Sequence, residues 1–130
     1  MKVKQALESA MALINERDSS GEFHSDVGDF EKNAPRVVSS IITLMTPDDC
    51  IVKGLRPSEA KWGAELTSLE DDIPLHEALA SAVPLGLAAF LLLEEDSVRA
   101  ESFFALFKAA RERVVATFTT GTRGSVRNVY

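Results

Sequence analysis

The chain has 130 residues, enough for one domain with a single core and little beyond it. Apolar residues make up 45% and charged residues 26%, which excludes wholesale disorder, a collagen-like repeat and a polytopic membrane protein. Fourteen Lys and Arg against twenty Asp and Glu leave a net charge of −6, so the phosphate-neutralising surface of a general nucleic-acid binder is missing.

From Val3 to Glu16 the residues Val3, Ala6, Leu7, Ala10, Leu13 and Ile14 recur at helical spacing, with Lys4, Gln5, Glu8 and Asn15 on the other side. That pattern predicts one amphipathic helix with one buried stripe. Glu8 interrupts the apolar stretch, so this start does not read as a secretory signal. Asp18 to Asp29 reads as a solvated acidic loop. Its acids lack the alternating ligand positions of a calcium loop.

A second helix is expected from near Asp29 to about Met45, with Phe30, Ala34, Val37, Val38, Ile41, Leu44 and Met45 on its apolar face. Pro35 marks either its regular start or a kink, and Thr46-Pro47-Asp48-Asp49 is expected to end it. Cys50 to Ser68 is irregular. Pro57 to about Trp62 reads either as a short helix or as part of a small β-hairpin.

Asp72, ahead of Pro74, is the expected cap of a third helical region reaching about Leu93. Its uncharged run, Ala78 to Leu93, has sixteen residues. About 20 are needed to span a membrane, so a buried core helix is the better reading. Val83-Pro84-Leu85-Gly86 should bend or break it. Being apolar on every face, it belongs at the centre of its domain or under another chain.

Asp96 or Ser97 should cap a last helix from about Val98 to Thr117. Its stripe is Phe103, Phe107, Ala110, Val114 and Phe118. Thr119 to Tyr130 reads as a flexible tail, Gly/Ser/Thr-rich and basic through Arg123 and Arg127. The expected architecture is therefore an all-α domain over 1–118, a bundle of four to five helices, followed by a tail over 119–130.

The residues carry no chemical signature. Cys50 is the only cysteine, so no intrachain disulfide forms. His24 and His76 are far apart, and no HExxH, GxSxG or phosphate-binding loop occurs. The acidic triplets Glu70-Asp71-Asp72 and Glu94-Glu95-Asp96 precede expected helix starts, where they complement the helix dipole. No catalytic residue, metal ligand or cofactor site is assigned. The candidate interface residues are Trp62, Pro84, Phe103, Phe107, Arg123 and Arg127.

Taken together, Ser68-Leu69-Glu70-Asp71-Asp72-Ile73-Pro74-Leu75, Ala82-Val83-Pro84-Leu85-Gly86-Leu87-Ala88-Ala89, Leu92-Leu93-Glu94-Glu95-Asp96 and Phe103-Phe104 resemble small structural proteins of tailed phages and prophages, of the head–tail connector or head-completion type. Asp29-Phe30-Glu31-Lys32-Asn33-Ala34-Pro35 is similar to their second helix, and the two parts cover about half of the chain. The resemblance implies an all-helical subunit that assembles with itself as a ring between portal and tail proteins. It implies a location in the virion and in the host bacterial cytoplasm, and neither catalysis nor a cofactor. No membrane and no sequence-specific nucleic acid are expected as partners. The alternative is a bacterial helical adaptor that binds another protein through the Phe103 to Phe118 face.

Overall fold

The computed structural model describes residues 1–14 and 27–127, with side chains from 28 to 119 in the second stretch. In chain order the elements are α1 (Val3–Ile14), α2 (Val27–Lys53), a single 3-10 turn (Pro57–Glu59), α3 (Glu77–Ala80), α4 (Val83–Leu92) and α5 (Ser97–Arg127). The described residues contain no strand, only an isolated antiparallel bridge between Lys2 and Asp72. The fold is an all-α bundle, and the irregular middle holds no hairpin.

Helix α4 lies at its centre and touches α1, α2 and α5. Val83, Pro84, Gly86, Leu87, Ala88, Ala89 and Leu92 are buried. An all-round apolar helix needs cover on every side, and three neighbouring helices of the same chain supply most of it. The greasy segment therefore does not require a second chain to hide it. Its expected break falls at Ser81-Ala82, where α3 stops and α4 restarts with Pro84 in its first turn. Proline is tolerated there because the first N–H groups of a helix have no intrahelical acceptor.

Helix α1 buries Val3, Ala6, Leu7, Ala10, Met11 and Ile14. Leu13, expected inside, is exposed, and Met11 takes its place. Both ends of α1 are tied to distant chain. The Val3 and Lys4 N–H groups donate to the carbonyls of Asp71 (3.0 Å) and Leu69 (2.9 Å), and the Ile73 N–H donates to the Met1 carbonyl (2.8 Å). At the other end the Arg99 guanidinium donates to the Ile14 carbonyl (3.0 Å). Donors and acceptors without an intrahelical partner are satisfied in this way.

Helix α2 does not end at Thr46-Pro47. It runs through Pro35 and Pro47 to Lys53. A proline removes one helical donor but leaves the following N–H groups intact. The turn after Pro47 is held from outside, where Asp48 binds Arg111 of α5 and Asp49 accepts the His76 N–H (2.8 Å), and from within α2, where Asp49 binds Lys53 (2.8 Å). Tertiary bonds outweigh the local breaker.

Asp72 does not cap a helix. Helix α3 starts at Glu77, and its cap is His76, whose Nδ1 accepts the Ala78 N–H (3.1 Å). The Glu70-Asp71-Asp72 triplet instead builds the turn that receives α1. The Asp71 carboxylate accepts the N–H groups of Thr67 (2.8 Å) and Ser68 (2.9 Å), and Asp72 sits 3.8 Å from the Lys2 ammonium. Asp96 does cap α5, accepting the Arg99 N–H at 3.1 Å.

Helix α5 spans 31 residues, about 46 Å at 1.5 Å per residue. Phe103, Phe107, Ala110, Val114 and Phe118 face the core, as their spacing requires. Its backbone continues past Thr117 to Arg127, so the segment read as a tail begins as helix. The acidic segment between Glu16 and Asp26, His24 within it, and residues 128–130 lie outside the described residues.

Candidate functional site

Two surface features stand out, and both are built on α2. Its inner face buries Ala34, Val38, Ile41, Ile42 and Met45. Its outer face carries Ser40, Thr43, Leu44, Pro47 and Ile51, all exposed and none charged. Their spacing of i, i+3, i+4, i+7 and i+11 makes one continuous helical strip. Leu44, which periodicity assigned to the core, is 50% exposed, and Ile51 is 49% exposed. An outer helix face normally carries charge, so an uncharged strip of this length is unusual for solvent.

Arg111 of α5 fixes the edge of that strip. Its Nε donates to Asp48 Oδ2 (2.7 Å), its Nη2 donates to the Leu44 carbonyl (3.1 Å), and its guanidinium carbon lies 5.1 Å from the centre of the Phe107 ring. A planar fork suits this combination of bonds better than an ammonium would. Leu44, Asp48, Phe104, Phe107, Lys108 and Val115 surround a shallow groove of about 550 Å³ between α2 and α5. On the far side of α5, Val98 is 74% exposed and Leu106 is also exposed.

The second feature is a cleft of about 580 Å³ between α2 and the chain from Leu55 to Ala64. That chain forms a strap with a left-handed glycine near each end, Gly54 (φ +70°) and Gly63 (φ +76°). Glycine is favoured at both because a Cβ strains this backbone. Ile42, Thr46, Asp49 and Cys50 of α2 line the cleft on one side. Trp62, 59% exposed, lies on the strap at its rim. The Thr46 hydroxyl donates to the Ile42 carbonyl (2.9 Å), and the buried thiol of Cys50 is free.

The residues singled out in the sequence are not gathered in one place. Pro84 is buried within α4, and Phe107 is 3% exposed, so both are used inside the fold and offer little to a partner. Phe103 is half-buried against the core. Trp62 is accessible, at the cleft. Arg123 and Arg127 lie on the helical end of α5, beyond the described side chains. Sequence reasoning missed the α2 strip, although the uncharged spacing from Ser40 to Ile51 is visible once the helix is known to continue through Pro47. It also missed the Arg111 anchor and the cleft, which join residues far apart in the chain.

Among the described residues no group of three His, Cys, Asp or Glu side chains is placed to hold a metal ion. No described helix is long and apolar enough to cross a membrane. Asp71 is the one described group whose acidity is clearly displaced. The N–H groups of Thr67 and Ser68 hold its carboxyl below the ordinary 3.8, with a small contribution from the Lys2 charge and a small opposing effect of burial. It serves a structural turn. Compared with protein-family models, with curated proteins and with solved structures, the chain matches none.

Proposed function

We propose that the chain is a non-catalytic assembly subunit of the phage head–tail connector type, which acts by binding copies of itself and the portal and tail proteins beside it in a virion. The observation that carries this reading is the uncharged outer strip of α2, from Ser40 to Ile51. Burying Leu44 and Ile51 against a second copy removes exposed aliphatic surface from water at roughly 25 cal/mol per Å². A contact between two different faces of one subunit repeats around an axis and closes into a ring. The net charge of −6 suits a ring through which DNA passes, since like charges keep the duplex from adhering to the wall.

The test is the mass of the protein in solution as a function of concentration, by light scattering, for the wild type and for Leu44→Glu/Ile51→Glu. The expected result is a defined oligomer that the double substitution dissociates, and co-purification of the wild type with portal protein. A wild type that stays monomeric at every concentration, with portal present, overturns the reading. Capture of a host protein by that monomer would favour the bacterial adaptor instead.

A further inference from the structure

We propose that the outer strip of α2 docks lengthwise on a second uncharged face of a neighbouring copy, the outer side of α5 from Val98 to Ala109, with the two helices parallel. This rests on the assembly reading and names the face and the polarity of its contact. Val98, Ser102, Ala105, Leu106 and Ala109 are all exposed and none is charged. Their spacing of i, i+4, i+7, i+8 and i+11 holds them on one side of the helix. Phe103, Phe107 and Val114 occupy the opposite, core side of α5. The α2 strip and the α5 face therefore belong to different sides of the subunit, and a contact between them repeats from copy to copy instead of closing as a twofold pair.

Shape and charge select a second copy as the occupant and select the parallel arrangement. Each face runs for the same length of helix, about 16 Å at 1.5 Å per residue. Aligned parallel with Ser40 against Val98, Leu44 falls against Ser102 and Ile51 against Ala109, so each long aliphatic side chain meets a short one. The same register brings exposed Arg36, one turn before Ser40, to exposed Glu94 and Glu95, one turn before Val98. Arg99, the base nearest that acidic end, is committed to the Ile14 carbonyl (3.0 Å). Reversed, the faces would set Ile51 against Val98 and Arg36 against Arg113, a like-charge pair. Pairing α2 with α2 would leave Val98 and Leu106 in water.

The test is disulfide trapping in a Cys50→Ser background, with a Leu44→Cys chain mixed with a Ser102→Cys chain under mild oxidation. A disulfide forms only where the two Cα atoms come within about 7 Å. The expected result is a cross-link between position 44 of one copy and position 102 of the next, with little 44-to-44 or 102-to-102 product. With Cys50 kept, Arg36→Glu should weaken association about fivefold, the scale of an exposed ion pair. Adding Glu94→Arg to it should restore association.

Oligomers that persist without the cross-link from 44 to 102, or that join 44 to 44, overturn this inference and leave the assembly reading standing. An Arg36→Glu defect that Glu94→Arg deepens also overturns it. A wild type that is monomeric by light scattering at every concentration overturns both.

Discussion

The Phe107 ring of α5 lies so close over Gly86 of α4 that a Cβ added to Gly86 would stand 3.1 Å from Cε1 and 3.2 Å from Cδ1 and Cζ. The absence of a side chain at 86 lets the two helices approach. Alanine is worth about 1 kcal/mol more than glycine within a helix, but overpacking a filled core costs about 1–3 kcal/mol. Phe107 is buried and carries the Arg111 guanidinium over its ring, so the ring gives way by a few tenths of an ångström only by disturbing that contact, and the steric effect wins. Gly86→Ala should lower stability in urea denaturation by about 1 kcal/mol, and Phe107→Leu in the same background should recover part of that loss.

The Arg111 anchor couples α5 to the turn after Pro47. Arg111→Met removes the bonds to Asp48 and to the Leu44 carbonyl and the guanidinium over the Phe107 ring, while keeping an unbranched apolar side chain in its place. Both partners are partly buried, so the expected loss is about 1–3 kcal/mol. A double-mutant cycle with Asp48→Asn should return a coupling of about 1 kcal/mol. Additive single effects would show that the two side chains merely lie side by side.

Pro47 leads to a prediction of opposite sign. It sits exposed inside α2, where its ring withholds the N–H that the Thr43 carbonyl would accept. Pro47→Ala supplies that donor and relaxes the constraint on Thr46. The melting temperature should rise, with a gain of about 1–2 kcal/mol in denaturant titration. A fall would mean that the backbone geometry Pro47 imposes is needed to bring Asp48 to Arg111.

Asp71 makes stability sensitive to acid. Its pKa is lowered in the folded chain, so its contribution is fully present above the unfolded value and is lost as pH falls through the folded one. The window opens at about pH 4 and extends downward. Asp71→Asn should flatten the dependence of stability on pH in that window and, above it, loosen the docking of α1. Denaturation midpoints between acid and neutral pH, compared for the two proteins, check both effects.

The bundle was legible in the sequence wherever one periodic face met one core. The Phe103 to Phe118 stripe is legible from spacing, and the break near Pro84 from the proline itself. Errors came where distant partners outweighed local chemistry. Pro47 reads as a stop unless Arg111 and His76 are known to hold the next turn. Asp72 reads as a helix cap unless the turn is known to receive α1. Leu44 reads as core because at about 100° per residue it falls beside Val37, on the edge of the buried stripe. Continuing α2 to Lys53 reveals its uncharged outer face. The cleft was illegible, since it depends on how an irregular strap lies over α2.

The ties at the start of α1 bear on the order in which the chain can mature on the ribosome. Val3 and Lys4 find their acceptors at Asp71 and Leu69, and Met1 is engaged by Ile73. At translation rates of about 5–20 residues per second, several seconds pass before those acceptors have even been made. Helix α1 must therefore wait as a nascent, unfinished element. Its apolar side stays open to the chaperones of the exit site until Ile73 and then α4 have left the tunnel.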